Sequence, residues 1–355
     1  MADLLAPLDF KNGVRAKNRV WLAPMTNQQS HDDGTLSDEE ARWLTMRADG
    51  GFGVVETCAA YVARDGKAWP GELGVDDDAG LPALSRLGAS LRSRGALGVV
   101  QIFHGGLRAS AALAGGEVWS ASDGDGVRAA TEADVARTID AFRAAAVRSE
   151  QAGFAGVELH GAHGYLFTQF LSTVENRRTD AWGGPLEGRA RFLREALRAV
   201  RGAVSPGFLV GVRLSPEDRG NARGLDLDES LTVASWLADD GADFLHLSLW
   251  EATENTKKRP AEHPVPLFRA ALPRDVALVV AGNVWTPAEA QAVIDRGADA
   301  VALARAAIAN PDWAARAGEP GWAPRRPPFS IAELEARGLT PRFIDYVRRW
   351  HFVAP

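Results

Sequence analysis

Three titratable side chains stand within six residues near the centre of the chain: His160, His163 and Tyr165. A short, mostly apolar segment at 156–159 leads into them, and only Gly and Ala separate them. An apolar run that stops at polar residues spaced by small ones is typical of a buried strand followed by a functional loop. Two neutral imidazoles can donate hydrogen bonds to one oxygen and polarise it, and a nearby tyrosine can act as a general acid.

The same two histidines allow a second hypothesis. A spacing of three residues permits His160 and His163 to bind one metal ion, as in a metal-dependent hydrolase. We expect no carboxylate cluster at the other strand ends to complete such a site. The oxygen-binding hypothesis, with Tyr165 as the proton donor, is therefore the first of two alternatives for this segment.

Eight apolar segments alternate with helical patterns along the chain. We predict strands at 20–24, 52–56, 97–103, 156–160, 208–214, 243–248, 276–281 and 299–304. Capping patterns predict helix starts at Ser37, Asp226 and Thr286. Strand–helix units at roughly 30–40 residue spacing predict a single (β/α)8 TIM barrel of the α/β class. An open doubly wound sheet is the alternative, but residues 25–29 lack the glycines of a dinucleotide-binding turn.

Both ends of the chain carry further signals. Asn12-Gly13 between apolar residues predicts an N-terminal hairpin. Ser330 with Glu333 predicts a helix start near the C-terminus. We predict one domain over residues 1–355, with the barrel at about 19–315 and a C-terminal helical tail at about 325–355.

The composition argues against several classes of protein. The 355 residues carry a net charge of −6, which disfavours nucleic acid and anionic membrane surfaces as partners. Cys58 is the only cysteine, so the chain forms no internal disulfide, which fits a reducing compartment. Residues 1–5 lack the pattern of a secretory signal, and no apolar run is long enough to span a membrane. We therefore expect a cytoplasmic protein.

In a (β/α)8 barrel the active site lies at the carboxyl ends of the strands, where this sequence places several polar residues. Thr26 follows the first predicted strand, Gln101 lies in the third and Arg213 in the fifth. A buried guanidinium requires anionic groups or several acceptors around it. Arg213 therefore favours a functional site more strongly than Thr26, which could be a cap, or Gln101, which could hold a neighbouring loop.

Two turns follow the last two predicted strands. Gly282 and Asn283 come after the seventh strand, and Ala304 and Arg305 after the eighth. Barrels often bind phosphate at these loops, where backbone N–H groups and a guanidinium act as donors. We predict a phosphorylated cofactor or substrate here. The alternative is that Gly282 only forms a tight turn.

An ordered set of motifs spans the chain. Its members are Ala23-Pro24-Met25-Thr26-Asn27, Val100-Gln101-Ile102-Phe103-His104-Gly105-Gly106, His160–Leu166, Glu175–Gly184, Arg213-Leu214-Ser215-Pro216 and the segment from Ala304-Arg305 to Pro311-Asp312. This set resembles the Old Yellow Enzyme family of FMN-dependent ene-reductases, and the resemblance extends roughly from Pro7 to Trp313.

The resemblance implies a (β/α)8 barrel that binds FMN non-covalently. The residues that it places around the cofactor are Ala23, Pro24, Thr26, Gln101, Arg213, Gly282, Asn283, Ala304 and Arg305. In that set Gln101 would bind the pyrimidine edge of the flavin, and Arg213 would stabilise the anionic reduced flavin. The phosphate would be contacted by Gly282, Asn283, Ala304 and Arg305.

The resemblance also implies an activity. NADPH or NADH would reduce FMN and leave, and an α,β-unsaturated carbonyl or nitro compound would then bind at the same face in a ping-pong cycle. His160 and His163 would hold the oxygen of this substrate, hydride would reach its β-carbon, and Tyr165 would protonate its α-carbon. We therefore predict an NAD(P)H-dependent FMN ene-reductase that acts on small molecules. The alternatives are the metal-dependent hydrolase and a flavin-binding protein without enone turnover.

Some features differ from the family pattern or vary within it. Thr26 stands where one branch has a redox-tuning cysteine, and Cys58, expected at the end of the second strand, does not replace it. Ala304 occupies a position that is usually Gly. Specificity is expected to reside in the loops 104–130 and 249–265. In some relatives the tail packs on a neighbouring subunit, which would make a homo-oligomer; the alternative is a tail docked on its own barrel.

Overall fold

The computed structural model describes residues 3–355 and has a closed barrel of eight parallel strands at its centre. Each strand pairs with the next one along the chain, and the eighth pairs with the first. The barrel strands are β1 Val20–Leu22, β2 Val54–Tyr61, β3 Leu97–Phe103, β4 Gly156–Gly161, β5 Leu209–Leu214, β6 Phe244–Ser248, β7 Ala277–Ala281 and β8 Ala300–Leu303. The predicted (β/α)8 barrel is confirmed. Met1 and Ala2, part of the segment considered for a secretory signal, lie outside the described residues.

Helices connect the strands and continue beyond the barrel. They are α1 Asp38–Asp49, α2 Leu81–Ser93, α3 Ala111–Ala114, α4 Glu132–Gln151, α5 Leu166–Leu171, α6 Leu186–Ala203, α7 Leu227–Asp239, α8 Pro264–Ala271, α9 Pro287–Asp295, α10 Arg305–Ala309, α11 Trp313–Arg316, α12 Ile331–Ala336 and α13 Pro341–Val347. Along residues 3–355, none of the helices combines the length and the apolar character needed to cross a membrane.

The predicted capping residues begin the helices where expected. The Ser37 hydroxyl oxygen accepts the Glu40 N–H at 3.0 Å at the start of α1. Asp226 accepts two backbone N–H groups at the start of α7. Thr286 and Glu289 form a complete capping box before α9. These side chains satisfy N–H groups that have no partner inside the helix, which fixes the end of each helix.

The strand boundaries agree with the prediction to within one residue except in the first two strands. β1 ends two residues earlier than expected, at Leu22. β2 begins later and extends much further, to Tyr61, because its register with β3 shifts between Glu56 and Ala59. An irregularity of this kind leaves no clear signal in a strand whose residues are buried on both faces.

This longer strand corrects the predicted position of Cys58. Cys58 lies inside β2 rather than at its end, and its sulfur donates a hydrogen bond to Glu40 Oε1 at 2.9 Å. The buried Glu40 carboxylate also accepts hydrogen bonds from Asn27 and Ser30 in the loop after β1. Burial raises the pKa of the Cys58 thiol well above its usual value. Cys58 therefore helps to hold the loop that contains Thr26 and is an unreactive thiol.

Aromatic side chains fill the amino-terminal end of the barrel. The Trp21 and Phe244 rings pack edge-on with centroids 5.1 Å apart, and Phe10 from the N-terminal hairpin covers both. This hairpin pairs Leu8–Asp9 with Arg15–Ala16, as predicted. Gly211 in β5 faces Phe244 so closely that a Cβ atom there would lie 2.2 Å from the ring. The amino-terminal end is thus closed, and the site must open at the other end.

The C-terminal tail folds onto the barrel of its own chain. Leu334, Phe343 and Val347 are fully buried. The Phe343 ring packs edge-on against Trp43 of α1 at a centroid distance of 5.7 Å. Contact of the tail with a second copy of the chain stays a prediction.

Candidate active site

The structure brings together the three residues that opened the sequence analysis. His160 lies near the end of β4, and His163 and Tyr165 lie in the short loop before α5. The His160 ring centroid is 5.0 Å from that of His163 and 5.0 Å from that of Tyr165. His163 adopts a φ of 63°, a left-handed conformation that is strained for a residue with a side chain. This backbone turn is what directs both imidazoles to the same side of the barrel mouth.

The hydrogen bonds around His160 favour one tautomer. Its Nδ1 accepts the backbone N–H of Ala162 at 3.3 Å, so Nε2 carries the hydrogen in the neutral ring. Burial, followed by the nearby charge of His163, lowers the pKa of His160 well below its usual value. His160 is therefore neutral near pH 7 and presents an N–H donor.

His163 is also a neutral imidazole, and one of its ring nitrogens contacts Ser248. The Ser248 hydroxyl oxygen lies 2.7 Å from His163 Nε2 and accepts a hydrogen bond from Arg213 Nη2 at 3.2 Å. Because a guanidinium only donates, the Ser248 hydroxyl hydrogen is free to point at Nε2, and in that arrangement the ring hydrogen is on Nδ1. Burial and the charge of Arg213 lower the pKa of His163 well below its usual value. Both imidazoles thus present one N–H donor each.

Tyr165 stands in an aromatic corner beside the two imidazoles. Its ring packs edge-on against Phe103 at 4.6 Å and faces Trp69 at 6.3 Å. The Arg108 guanidinium lies 4.1 Å above the ring and donates a hydrogen bond to the His163 carbonyl. Burial raises the pKa of Tyr165 to about 12, against the opposing charge of Arg108. Tyr165 therefore keeps its proton at neutral pH and can act as an acid.

Gln101 in β3 and Arg213 in β5 are both buried. Arg213 Nη1 donates a hydrogen bond to the Pro24 carbonyl at 3.4 Å. Its Nε is buried without a protein partner among residues 3–355. A buried donor left without an acceptor costs about 1–3 kcal/mol, so an acceptor atom of a bound molecule fits here. This observation agrees with FMN at this edge of the site.

The remaining residues predicted at the flavin surround the same opening. Ala23 is buried directly after β1, and Thr26 is partly exposed in the loop that Glu40 holds. At the other side of the mouth, a Cβ atom on Gly282 would lie 2.7 Å from the Ala252 backbone nitrogen. Gly282 is therefore required for close packing of the turn after β7 against the loop after β6.

The predicted phosphate-binding turns combine backbone N–H groups with one guanidinium. Asn283 has a φ of 50°, and its amide group donates to the Glu251 carboxylate. Ala304 immediately precedes Arg305, the first residue of α10. Within the described part of the chain the Arg305 guanidinium forms no ion pair. Backbone N–H groups at a helix start together with an unpaired guanidinium suit a phosphate.

Sequence reasoning missed a buried polar layer inside the barrel. Glu56, Glu158 and His246 lie close together beside Gln101 and Arg213, and all three are fully buried. Glu56 and Glu158 lie inside β2 and β4 rather than at the strand ends where carboxylates were considered. Within the described residues, these three form the one group close enough to hold a metal ion, and neither His160 nor His163 belongs to it. The hydrolase hypothesis for that histidine pair gains no support.

Other residues that were missed come from loops. Trp69 and Arg108 follow β2 and β3, and Ser248 ends β6. Ser248 could have been found because a hydroxyl at the end of a barrel strand is a candidate contact. The two loop residues carried no signal, because their loops have no regular spacing.

The fold is a closed (β/α)8 barrel with two imidazoles and a tyrosine at its mouth, which places the protein among barrels with a candidate active site at the carboxyl ends of the strands. Comparison with known proteins makes this assignment specific: residues 3–320 match the sequence model of the NADH:flavin oxidoreductase / NADH oxidase family. The chain belongs to this family, the Old Yellow Enzyme family, whose members use FMN with NADH or NADPH as electron donor.

Individual relatives agree with the family. Over 328 residues the chain is 37% identical to a probable NADH-dependent flavin oxidoreductase of Bacillus subtilis, covering 89% of this chain and 88% of that protein. It is 33% identical to the NADH:fumarate oxidoreductase of Klebsiella pneumoniae, covering 89% of this chain but 36% of that longer protein. The old yellow enzyme homologue from Zymomonas mobilis has a TM-score of 0.83 at 26% identity, covering 96% of this chain and 99% of that one.

Proposed function

We propose that this protein reduces the activated C=C bond of α,β-unsaturated carbonyl or nitro compounds, with NADH or NADPH as the electron source, in a ping-pong cycle. The observation that carries the proposal is the arrangement of two neutral imidazoles, each with an N–H donor, beside a protonated tyrosine. His160 and His163 can bind one oxygen, and Tyr165 lies 5.0 Å from the His160 ring.

FMN, when bound, supplies the hydride chemistry. In our proposal Gln101 and Arg213 bind its pyrimidine edge, while Ala23, Pro24 and Thr26 line the ring. A positive charge on Arg213 favours extra electron density on a neighbouring group. The phosphate is held by the turns at Gly282-Asn283 and Ala304-Arg305, a role supported by the backbone donors and the unpaired guanidinium described above.

On the substrate, the two histidines draw electron density towards the bound oxygen. This makes the β-carbon more electrophilic, and aimed donors of this kind typically account for the largest single contribution to catalysis. Tyr165 gives its proton to the α-carbon. Trp69 and Phe103 form the apolar wall beside the reacting carbon atoms and exclude water from the site.

One anaerobic experiment separates this proposal from its alternatives. We expect the purified protein to be yellow, NADH or NADPH to bleach its absorbance, and cyclohexenone to restore it. Bleaching without recovery would leave a flavin-binding protein without enone turnover. A colourless protein that contains a stoichiometric metal would instead favour a hydrolase.

We further propose that residues 1–355 form one domain that acts in the cytoplasm on small molecules, without nucleic acid or membrane partners. The reducing compartment is supported by a single cysteine with a protonated, buried thiol. Association into a homo-oligomer is part of this proposal, and sedimentation of the purified protein tests it.

A further inference from the structure

The polar layer inside the barrel is the most unusual feature that the proposed reaction does not use. Glu56 of β2, Glu158 of β4 and His246 of β6 point inward from three different strands, with exposed fractions of 1%, 0% and 0%. Ionisable groups are rarely buried to this extent unless they are fully paired. Glu158 is the register partner of Gln101, and His246 is the register partner of Arg213, so the layer lies beside two residues proposed to bind FMN.

Glu158 connects this layer to the proposed flavin site. Its Oε1 accepts a hydrogen bond from Gln101 Nε2 at 2.7 Å, and its Oε2 lies 2.7 Å from His246 Nδ1. The neighbouring strand places His246 in register with Arg213. A change of charge on His246 would therefore act on Gln101 through Glu158 and on Arg213 directly.

The layer is incompletely hydrogen-bonded within the described residues. Both carboxyl oxygens of Glu56 and the Nε2 of His246 are buried without a hydrogen-bond partner. Glu56 Oε1 is 3.7 Å from His246 Nδ1, close enough for electrostatic coupling but too far for a hydrogen bond. Unpaired buried polar atoms cost about 1–3 kcal/mol each, so this layer does not act as a simple stabilising network.

The three groups differ in their capacity to bind a proton. Burial and then the negative charge of Glu158 raise the pKa of Glu56 well above its usual value, which favours the neutral form of this carboxyl group. Although burial alone raises the pKa of Glu158, its hydrogen-bonded partner His246 and Arg213 bring it below its usual value. Burial lowers the pKa of His246, although Glu158 opposes this effect. His246 is the member that is neutral and has a free acceptor, Nε2.

We propose that His246 takes up a proton from solvent at Nε2 when the bound FMN is reduced, and so compensates the negative charge added beside Gln101 and Arg213. Electrons come from NADH or NADPH and reside on the flavin. The protein itself gains one proton, and none of its other bonds forms or breaks. Glu158 positions His246 and stabilises its cationic form, while Glu56 is a neutral neighbour. This inference rests on the proposed placement of FMN.

The sign of the effect follows from the charges that face His246. These are Glu158 and Glu56 across the barrel, Arg213 on the adjacent strand, and the two site histidines above; the paired residue on β7, Val279, is apolar. Added negative charge on the flavin favours the cationic imidazole, so the pKa of His246 rises on reduction. At a pH between the pKa of His246 with oxidised FMN and its pKa with reduced FMN, one additional proton binds upon reduction.

The test is the reduction potential of the FMN-loaded protein as a function of pH. One additional proton changes the reduction equilibrium tenfold per pH unit, which is about 30 mV for a two-electron couple. We expect the unmodified protein to show this additional slope and His246→Asn to lose it. Asn retains an N–H donor for Glu158 but does not titrate. His246→Gln is a second variant if His246→Asn binds FMN poorly.

Two matched variants make the result specific. Glu56→Gln should retain the additional slope because Gln imitates the neutral form that the raised pKa of Glu56 favours, and His351→Asn, at an exposed histidine, should also retain it. An identical slope in the unmodified protein and in both His246 variants would overturn the proposal, as would loss of the slope only in Glu56→Gln. One metal ion per chain, bound by Glu56, Glu158 and His246, would overturn it as well. The potential is measured without enone, so failure of enone turnover is a separate outcome.

Discussion

At the scale of single residues, the Ser248 hydroxyl connects Arg213 to His163 and can donate its hydrogen to one of the two imidazole nitrogens. Because Arg213 occupies the Ser248 oxygen as a donor, the hydroxyl hydrogen is left for His163 Nε2. A histidine in the opposite tautomer would present a lone pair to the substrate oxygen and repel it. Ser248 is therefore a positioning residue.

We predict that Ser248→Ala slows the enone step by about 10–100-fold, less than the 10²–10³-fold loss typical when a donor is removed outright. Stopped-flow recovery of the flavin absorbance with cyclohexenone measures this step. Ser248→Thr keeps the hydroxyl and should remain near the parent rate. Equal rates in Ser248→Ala and the parent would show that the tautomer is set elsewhere.

Tyr165 yields a prediction about pH. Burial raises the pKa of Tyr165 to about 12, and a general acid acts only while it is protonated. The enone step should therefore stay constant from neutral pH upward and fall only as the pH approaches 12. Tyr165→Phe should lower the rate of the enone step by a factor of about 10²–10⁴. In this variant the rate should no longer decrease at alkaline pH. Equal slowing of the enone and NADPH steps would contradict the proton-donor role.

At the scale of elements, the loop after β6 carries the most exposed large apolar side chain of the described residues. Trp250 is 60% exposed at the barrel mouth, with the Arg219 guanidinium 5.5 Å from its ring. Ser248 at the start of this loop contacts His163, so the loop borders the site directly. An exposed indole at a pocket entrance is suited to packing against a bound apolar substrate.

We predict that Trp250→Ala raises KM for bulky apolar enones by about tenfold, with little change in kcat, because the contact is the same in the ground and transition states. Steady-state kinetics with a small and a bulky enone measures the difference. Trp350→Ala, another exposed indole but in the tail, is the matched control. An unchanged KM for both enones would place the specificity in loop 104–130 instead.

The sequence predicted the elements better than it predicted the interior. β3 was predicted over its full length, and β4 to β8 to within one residue, because apolar runs between turn residues are distinctive. Glu56, Glu158 and His246 were overlooked because strands of a parallel barrel are buried on both faces. Their alternation with apolar neighbours then gives no contrast between a core face and a solvent face. The pairing of Glu158 with Gln101 depends on register, which a single sequence does not reveal.

At the scale of the whole molecule, the tail is joined to the barrel through a small aromatic core. Phe343→Ala should lower the free energy of unfolding by about 3–5 kcal/mol, because it leaves a cavity against Trp43. Chemical denaturation measures this loss. The oligomeric state, measured by sedimentation, should not change.

An exposed tail position provides the control. Ile331→Ala, where the side chain is 48% exposed, should change stability by no more than about 0.5 kcal/mol. If Phe343→Ala instead altered the sedimentation with little loss of stability, the tail would belong to an interface between subunits.

The hairpin that covers Trp21 and Phe244 also has a kinetic consequence. With that end of the barrel filled by aromatic rings, nicotinamide and acceptor must both arrive and depart through one mouth. The two reactants then compete for the same site. A nicotinamide or an acceptor bound to the wrong form of the enzyme prevents the other reactant from binding. Turnover should therefore pass through an optimum and decline when either reactant is in large excess.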